Sequence, residues 1–148
     1  MAFHFSLDPL LRLRRSQLRQ ERVRLETISS ELAQARSRLD ALVAGSLAWE
    51  KEARRSLAAG EPGAQLQWDA RFKERVSSLV DEQKSRVAEI QRRRGEQLAE
   101  YLRARQRCEA VEALLQRSQE IYRREQSRRE QERLDEIFLT RLFLLPDE

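Results

Sequence analysis

The sequence has very little of what builds wide cores and tight turns. Its 148 residues include four glycines, three prolines and one cysteine, and only 6% are aromatic. Long apolar runs are also missing, because none exceeds four residues and a membrane-spanning helix needs about 20. These absences exclude a transmembrane helix and an internal disulfide, and they argue against a broad globular core.

Residues that carry out catalysis are equally scarce. His4 is the only histidine and lies at the N-terminal tip, so no serine or cysteine has an imidazole to activate it. The sequence contains no phosphate-binding loop, no CxxC pair and no metal-ligand spacing. Carboxylates are plentiful, but paired acids need a cleft to shift their pKa values. We therefore expect a protein that is not an enzyme and that uses no cofactor, metal or small-molecule ligand.

Charge is what the sequence has in abundance. Charged residues make up 36% of the chain, and 29 basic residues are interspersed with 25 acidic ones, for a net charge of +4. A nucleic-acid-binding coiled coil would explain the basic pI, but such proteins concentrate positive charge and interleave it with aromatic residues. We expect no nucleic-acid partner. The preference for arginine over lysine fits either genome composition or bidentate contacts to carboxylates at interfaces.

Apolar residues recur with a heptad period in two long segments, which predicts coiled-coil helices. The first segment places Leu11, Leu18, Leu25, Leu32 and Leu39 at a, and Ile28, Ala35, Leu42 and Trp49 at d. The second segment places Val80, Val87, Arg94, Tyr101, Cys108, Leu115 and Tyr122 at a, and Val76, Gln83, Ile90, Gln97, Ala104 and Val111 at d. At its a position, Cys108 is expected to be a small buried hydrophobe.

One stretch interrupts the heptads. Residues 56–65, SLAAGEPGAQ, hold three of the seven glycines and prolines and predict a turn. Two helices joined by a short turn bury their stripes by lying antiparallel. We predict an all-α fold, a single two-helix coiled-coil hairpin over residues 1–148, with helices at about 7–57 and 66–143 and a turn at about 58–65. A parallel homodimeric scaffold would also explain the heptads, but the turn argues against it.

The second helix is predicted to outrun the first by its last 25 to 30 residues. Near the end of this overhang, an apolar stripe has no partner inside the chain: Leu134, Ile137, Phe138, Leu142 and Phe143. A second apolar set lies close to the turn and steps along nearly one helical face: Trp68, Phe72, Val76 and Leu79. This second set is either core packing or a docking surface.

With these elements in view, the sequence resembles the FliJ family, the coiled-coil stalk proteins of the flagellar type III export apparatus. The resemblance is carried by the N-terminal FHFSLDPLLRLRR, by the length and the Arg/Glu/Gln-rich helices, and by the terminal LDEIFLTRLF. It implies an antiparallel two-helix coiled coil. It also implies three partners: a hexameric export ATPase, the cytoplasmic part of the membrane export gate, and substrate chaperones.

The resemblance implies roles for two sets of residues. Those expected to face the ATPase are called the terminal surface: Phe3, Phe5, Leu7, Arg12, Arg14, Arg15, Arg133, Leu134, Ile137, Phe138, Arg141 and Phe143. Those expected to face the export gate are called the tip surface: Trp68, Phe72, Val76 and Leu79. An equivalent stalk of an injectisome and a generic coiled-coil scaffold remain as alternatives.

The N-terminus does not have the pattern of a secretory signal, because its arginines follow the aromatic residues and no long apolar run comes after them. A removable transit peptide is also disfavoured, since the helical pattern continues through Glu21 and Glu26 without a break. We expect a cytoplasmic protein, peripherally associated with a membrane export complex.

Overall fold

The computed structural model consists of two α-helices, and the residues it describes include no strand. These residues are 2–60 and 63–144, with the backbone alone at residue 64. Helix α1 spans Asp8–Ala58 and helix α2 spans Gly63–Leu144. The two helices pack against each other as an all-α hairpin, so the predicted fold class is confirmed. Within the described ranges, neither helix has a stretch long and apolar enough to cross a membrane.

Local chemistry sets the helix boundaries. The first helical hydrogen bond runs from the N–H of Leu11 to the carbonyl of Leu7, at 2.9 Å, so α1 begins at Asp8. Pro9 fits this first turn because its missing N–H would have no partner there. After Ala58 the backbone reaches Gly60 with φ of +83°, a left-handed conformation that glycine adopts without strain. The centre of the predicted turn, residues 61–62, lies outside the described residues, and α2 begins three residues before the predicted position.

The chain divides into two compact units, and the first is residues Arg19–Leu102, here called the hairpin unit. Its core is formed by Leu32, Ala35, Val87 and Ile90. Beside this core, the side-chain amide of Gln83 donates to the carbonyl of Ala35 at 3.0 Å. As residue numbers rise along α1, their partners' numbers fall along α2, so the helices are antiparallel in this unit.

The second unit, here called the terminal unit, combines Met1–Leu18 with Arg103–Glu148. Its core brings Phe5, Leu11 and Val111 together, with Phe3, Leu10 and Leu115 packed against them. Leu11 is the most deeply buried of these residues, at 1% exposure. Leu11 of α1 thus packs against Val111 of α2.

The predicted heptad register holds at every a and d position but one. All the others are buried or half-buried, including the polar Gln83 and Gln97. Arg94 is the exception, because its side chain is exposed and its Nε donates to Ser29 Oγ at 3.1 Å. A long side chain can lie along the helix and keep its charged end in water, so an arginine placed at a seam position turns outward.

Candidate interaction surfaces

The C-terminal part of α2, residues 127–144, is helical and exposed at every position. We call it the terminal segment. It carries large apolar side chains that no described part of the chain covers, with Leu134 65% exposed, Phe138 64% and Phe143 87%. Isolated exposed leucines are common on protein surfaces, whereas groups of exposed apolar residues are typical of interaction sites, so the terminal segment is a candidate interaction surface.

The sequence predicted one apolar stripe along the terminal segment. In the helix, however, the apolar residues do not all lie on one face. At 3.6 residues per turn, Leu134, Ile137 and Phe138 fall within an arc of about 100°. Phe143 lies about half a turn from Leu134, on the other side of the helix. Tyr122, which packs in the seam, projects about a third of a turn away from Leu134. The Leu134–Ile137–Phe138 face is therefore separate from the face by which α2 packs on α1.

The N-terminal residues of the terminal surface divide between core and surface. Phe5 is buried at 8% exposure and belongs to the core of the terminal unit. Phe3 is half-buried, and its ring meets Tyr122 edge-on at a centroid distance of 5.4 Å. Leu7 is 37% exposed. Of these three residues, Phe5 has almost no surface left for a partner protein. Its contribution is to hold the adjoining N-terminal residues in place.

The residues before α1 also lengthen the covered part of α2. Ala2, Phe3 and His4 line one groove together with Tyr122 and Arg129. Residues 2–5 are not helical, and a non-helical chain can advance up to about 3.3 Å per residue against 1.5 Å for a helix, so a few residues can cover about two helical turns. The unbroken exposed stretch therefore begins at residue 127, later than the predicted 25-to-30-residue overhang would place it.

The arginines of the terminal surface include three near the N-terminus that have partners within the terminal unit. Arg12 pairs with Asp8 at 2.9 Å, Arg15 pairs with Glu112 of α2 at 3.3 Å, and Arg14 donates to Gln17 at 3.1 Å. Arg133 and Arg141 lie on the exposed terminal segment. Ion pairs in water are weak and are screened by salt, so Arg12 and Arg15 can exchange their carboxylates for those of a partner.

The tip surface is built around stacked aromatic rings. Phe72 lies between two tryptophans, with ring centroids 4.9 Å from Trp49 and 5.7 Å from Trp68, and its plane is within 8° of that of Trp68. Trp68 is 61% exposed and Leu79 is 43% exposed, whereas Phe72 and Val76 are half-buried. Both possibilities raised by the sequence, core packing and an exposed surface, therefore apply to this set. Phe72 and Val76 pack, and Trp68 and Leu79 face solvent.

Sequence reasoning missed part of the apolar surface at the tip. Trp49 was assigned to the core, but it also lines a groove with residues from both helices: Ala53, Leu57, Leu66, Asp69 and Ala70. Leu57 is 49% exposed and Leu66 is 41% exposed. These residues could have been found from their position close to the predicted turn, because the apolar stripes of both helices come together there.

The described residues contain one free thiol and no grouped metal ligands. No group of three or more His, Cys, Asp or Glu side chains among them is placed to hold a metal ion. Cys108 is a free thiol at 2% exposure. Burial, with a further effect of the nearby Glu112 carboxylate, raises the pKa of the Cys108 thiol. The thiol therefore stays protonated near neutral pH, as expected for a packing residue.

Comparison with known proteins gives one family. The family described as Flagellar FliJ protein matches residues 3–145. No curated protein and no solved structure matches the chain. The matched range includes the N-terminal aromatic residues, both helices and the terminal segment, so it covers both surfaces described above.

Proposed function

Because the chain belongs to the FliJ family, and is therefore a stalk component of flagellar type III export, we propose that it acts by binding other export proteins. The terminal surface binds the hexameric export ATPase, and the tip surface binds the cytoplasmic part of the export gate. The protein also associates with substrate chaperones, and it works in the cytoplasm at the membrane export complex. The family is a non-catalytic component of export, and its flagellar description favours this role over that of an injectisome stalk or a generic scaffold.

The observation that carries the proposal is the exposure of the terminal segment. Ile137 is 52% exposed and Phe138 is 64% exposed on one face of a helix that the described chain leaves uncovered. Burying apolar surface of this kind is the main favourable term in most protein associations. A ring of subunits supplies a pore that can cover a helix on several sides.

The effect on the ATPase follows from mass action. A stalk that binds the closed ring and not its separated subunits shifts the equilibrium toward the hexamer. The arginines of the terminal surface, Arg133 and Arg141 among them, would meet acidic residues in the pore. We expect the interaction to weaken as salt is added and to keep an apolar remainder that salt does not remove.

Ring assembly and ATP turnover test the terminal surface. Ile137→Ser with Phe138→Ser should reduce stimulation of the ATPase, because both side chains are exposed and the fold does not depend on them. Val23→Ser is the matched control, since Val23 is 60% exposed on α1 and lies outside both surfaces. Equal stimulation by the double variant and by the control would refute the assignment. Removing residues 1–7 is a less specific test, because it also removes the buried Phe5.

Gate binding tests the tip surface. Trp68→Ser with Leu79→Ser changes the two exposed members and leaves the half-buried Phe72 and Val76 in place. We expect weaker binding to the isolated cytoplasmic part of the gate, with unchanged helical content and unchanged ATPase stimulation. Unaltered gate affinity would contradict the assignment, and a loss of helical content would place these side chains in the core.

A further inference from the structure

The terminal segment stays helical without the packing that normally holds a helix in water. Residues 127–144 are all exposed, although Arg129, near their start, reaches the groove that is lined by the N-terminal residues. Helices without tertiary contacts are marginally stable in water. The covered part of α2 already provides the helix nucleus, so the terminal segment only has to extend an existing helix. Modest local interactions can therefore decide how far the helix extends.

A cluster of charged side chains lies at the point along α2 where the N-terminal residues stop covering the helix. The guanidinium of Arg128 holds Glu125 by two hydrogen bonds, Nη2 to Oε1 at 2.9 Å and Nε to Oε2 at 3.3 Å. Its remaining Nη1 donates to Glu132 one turn further along. Arg129 adds a bond from its Nε to Glu125 at 3.1 Å. One arginine therefore joins two carboxylates that are seven residues, or about two turns, apart.

The two carboxylates lie on opposite sides of the boundary. Glu125 is half-buried and lines the groove formed with Phe3 and Tyr122, so it belongs to the covered part of α2. Glu132 is on the exposed terminal segment. The hydrogen bonds from Arg128, followed by those from Arg129, lower the pKa of Glu125 and keep it ionised at neutral pH. The charges that the contact needs are thus present under ordinary conditions.

We propose that Arg128 is a positioning residue that continues the helix of α2 from the covered turns into the terminal segment. By fixing the backbone between Glu125 and Glu132, it keeps Leu134, Ile137 and Phe138 on one face. The inference rests on the proposed function for the identity of the partner, the export ATPase. The helix-holding role itself belongs to this chain alone and is measurable without any partner.

Hydrogen exchange of the full-length protein tests the helix-holding role. In Arg128→Gln, amides of residues 130–144 should exchange about threefold faster than in the native chain, as expected from the loss of two helical ion pairs. Added salt should accelerate exchange in the native chain toward the rate of the variant and change the variant little. Arg128→Lys keeps the charge but cannot hold both carboxylates with a planar group, so it should be intermediate.

Arg92 provides a matched control. Its guanidinium makes the same arrangement with Glu89 and Glu96, but in the part of α2 that packs on α1. Arg92→Gln should leave exchange in residues 130–144 unchanged. Equal exchange in the native chain and in Arg128→Gln would overturn the inference, and so would an equal effect of Arg92→Gln on the terminal segment.

ATPase affinity separates this inference from the proposed function. Arg128→Gln should lower the affinity in proportion to the loss of helix, and Ile137→Ser with Phe138→Ser should lower it without changing exchange before residue 134. If the double variant weakens binding and Arg128→Gln does not, the positioning role is wrong and the terminal surface stands. If neither variant weakens binding while Arg128→Gln accelerates exchange, the proposed ATPase contact is wrong and the helix-holding role stands.

Discussion

Burial decides which single side chains hold the terminal unit together. Leu11 is 1% exposed and touches both the N-terminal Phe5 and Val111 of α2. Leu25 occupies an equivalent heptad position in the hairpin unit but is only half-buried. Heptad position alone therefore does not measure how much a leucine contributes, because Leu11 is also covered by Phe5, which lies outside the heptads.

Truncating Leu11 should be among the costliest leucine changes in the chain. We expect Leu11→Ala to lower the free energy of unfolding by about 2–5 kcal/mol, since it removes buried methylene groups and leaves a cavity. Val23→Ala, at an exposed position, should change it by about 0.5 kcal/mol or less. Urea unfolding followed by circular dichroism measures both values. Similar costs for the two variants would show that the core of the terminal unit is wrongly placed.

The Cys108 thiol should make stability fall at alkaline pH. Its pKa is raised in the folded protein by burial, so below the ordinary thiol pKa of about 8.5 the group is protonated in both states and has no effect. Above that pH the unfolded chain ionises first and is favoured, and stability declines toward the raised pKa. Cys108→Ala should show a flatter pH dependence of unfolding from pH 8.5 upward. Parallel curves for the two proteins would contradict the assigned burial.

At the scale of the helices, heptad spacing was enough to predict which face of each helix is buried. It could not predict where Arg94 would point, because the length and flexibility of an arginine let it leave the seam for solvent. It also could not give the extent of the overhang, since residues 2–7 are not helical and advance along α2 by a different distance per residue. Sequence periodicity describes regular helices. The outward turn of Arg94 and the non-helical residues before α1 are not regular, so periodicity could not predict them.

Two glycines offer opposite tests of the helix assignments. Gly95 lies within α2, and a Cβ added there meets no atom within 4 Å, so Gly95→Ala should stabilise the protein by about 0.4–1 kcal/mol. Gly60 has φ of +83°, so Gly60→Ala should destabilise it by about 1 kcal/mol or more. Thermal unfolding of the two variants measures both effects. Shifts of the same sign would mean that one backbone conformation is wrongly assigned.

For the whole molecule, the pairing of α1 with α2 inside one chain has a thermodynamic consequence. An intramolecular pair melts at a temperature that does not depend on protein concentration, whereas a dimeric coiled coil becomes more stable as concentration rises. We expect the same melting temperature over an about hundredfold concentration range, with native mass spectrometry showing a monomer. A melting temperature that rises with concentration would favour the dimeric scaffold.

The exposure and packing of the residues in the two surfaces could be predicted from the sequence only in part. Apolar residues without a partner along the terminal segment were visible from counting heptads, because the first helix is shorter. The burial of Phe5 against Val111 and the contact of Phe72 with Trp49 were not visible. Both depend on contacts between residues far apart in the sequence, and a periodic pattern on one helix does not contain them.

The antiparallel pairing also sets an order of events during synthesis. Leu11 leaves the ribosome early, but its partner Val111 is made a hundred residues later. At about 5–20 residues per second, Leu11 stays uncovered for roughly 5–20 s until the part of α2 around Val111 has been made. The residues beside the turn meet almost at once. The two helices of the nascent chain therefore pair from the turn outward. The N-terminal leucines stay exposed longest, so a chaperone of nascent chains would have to cover them longest.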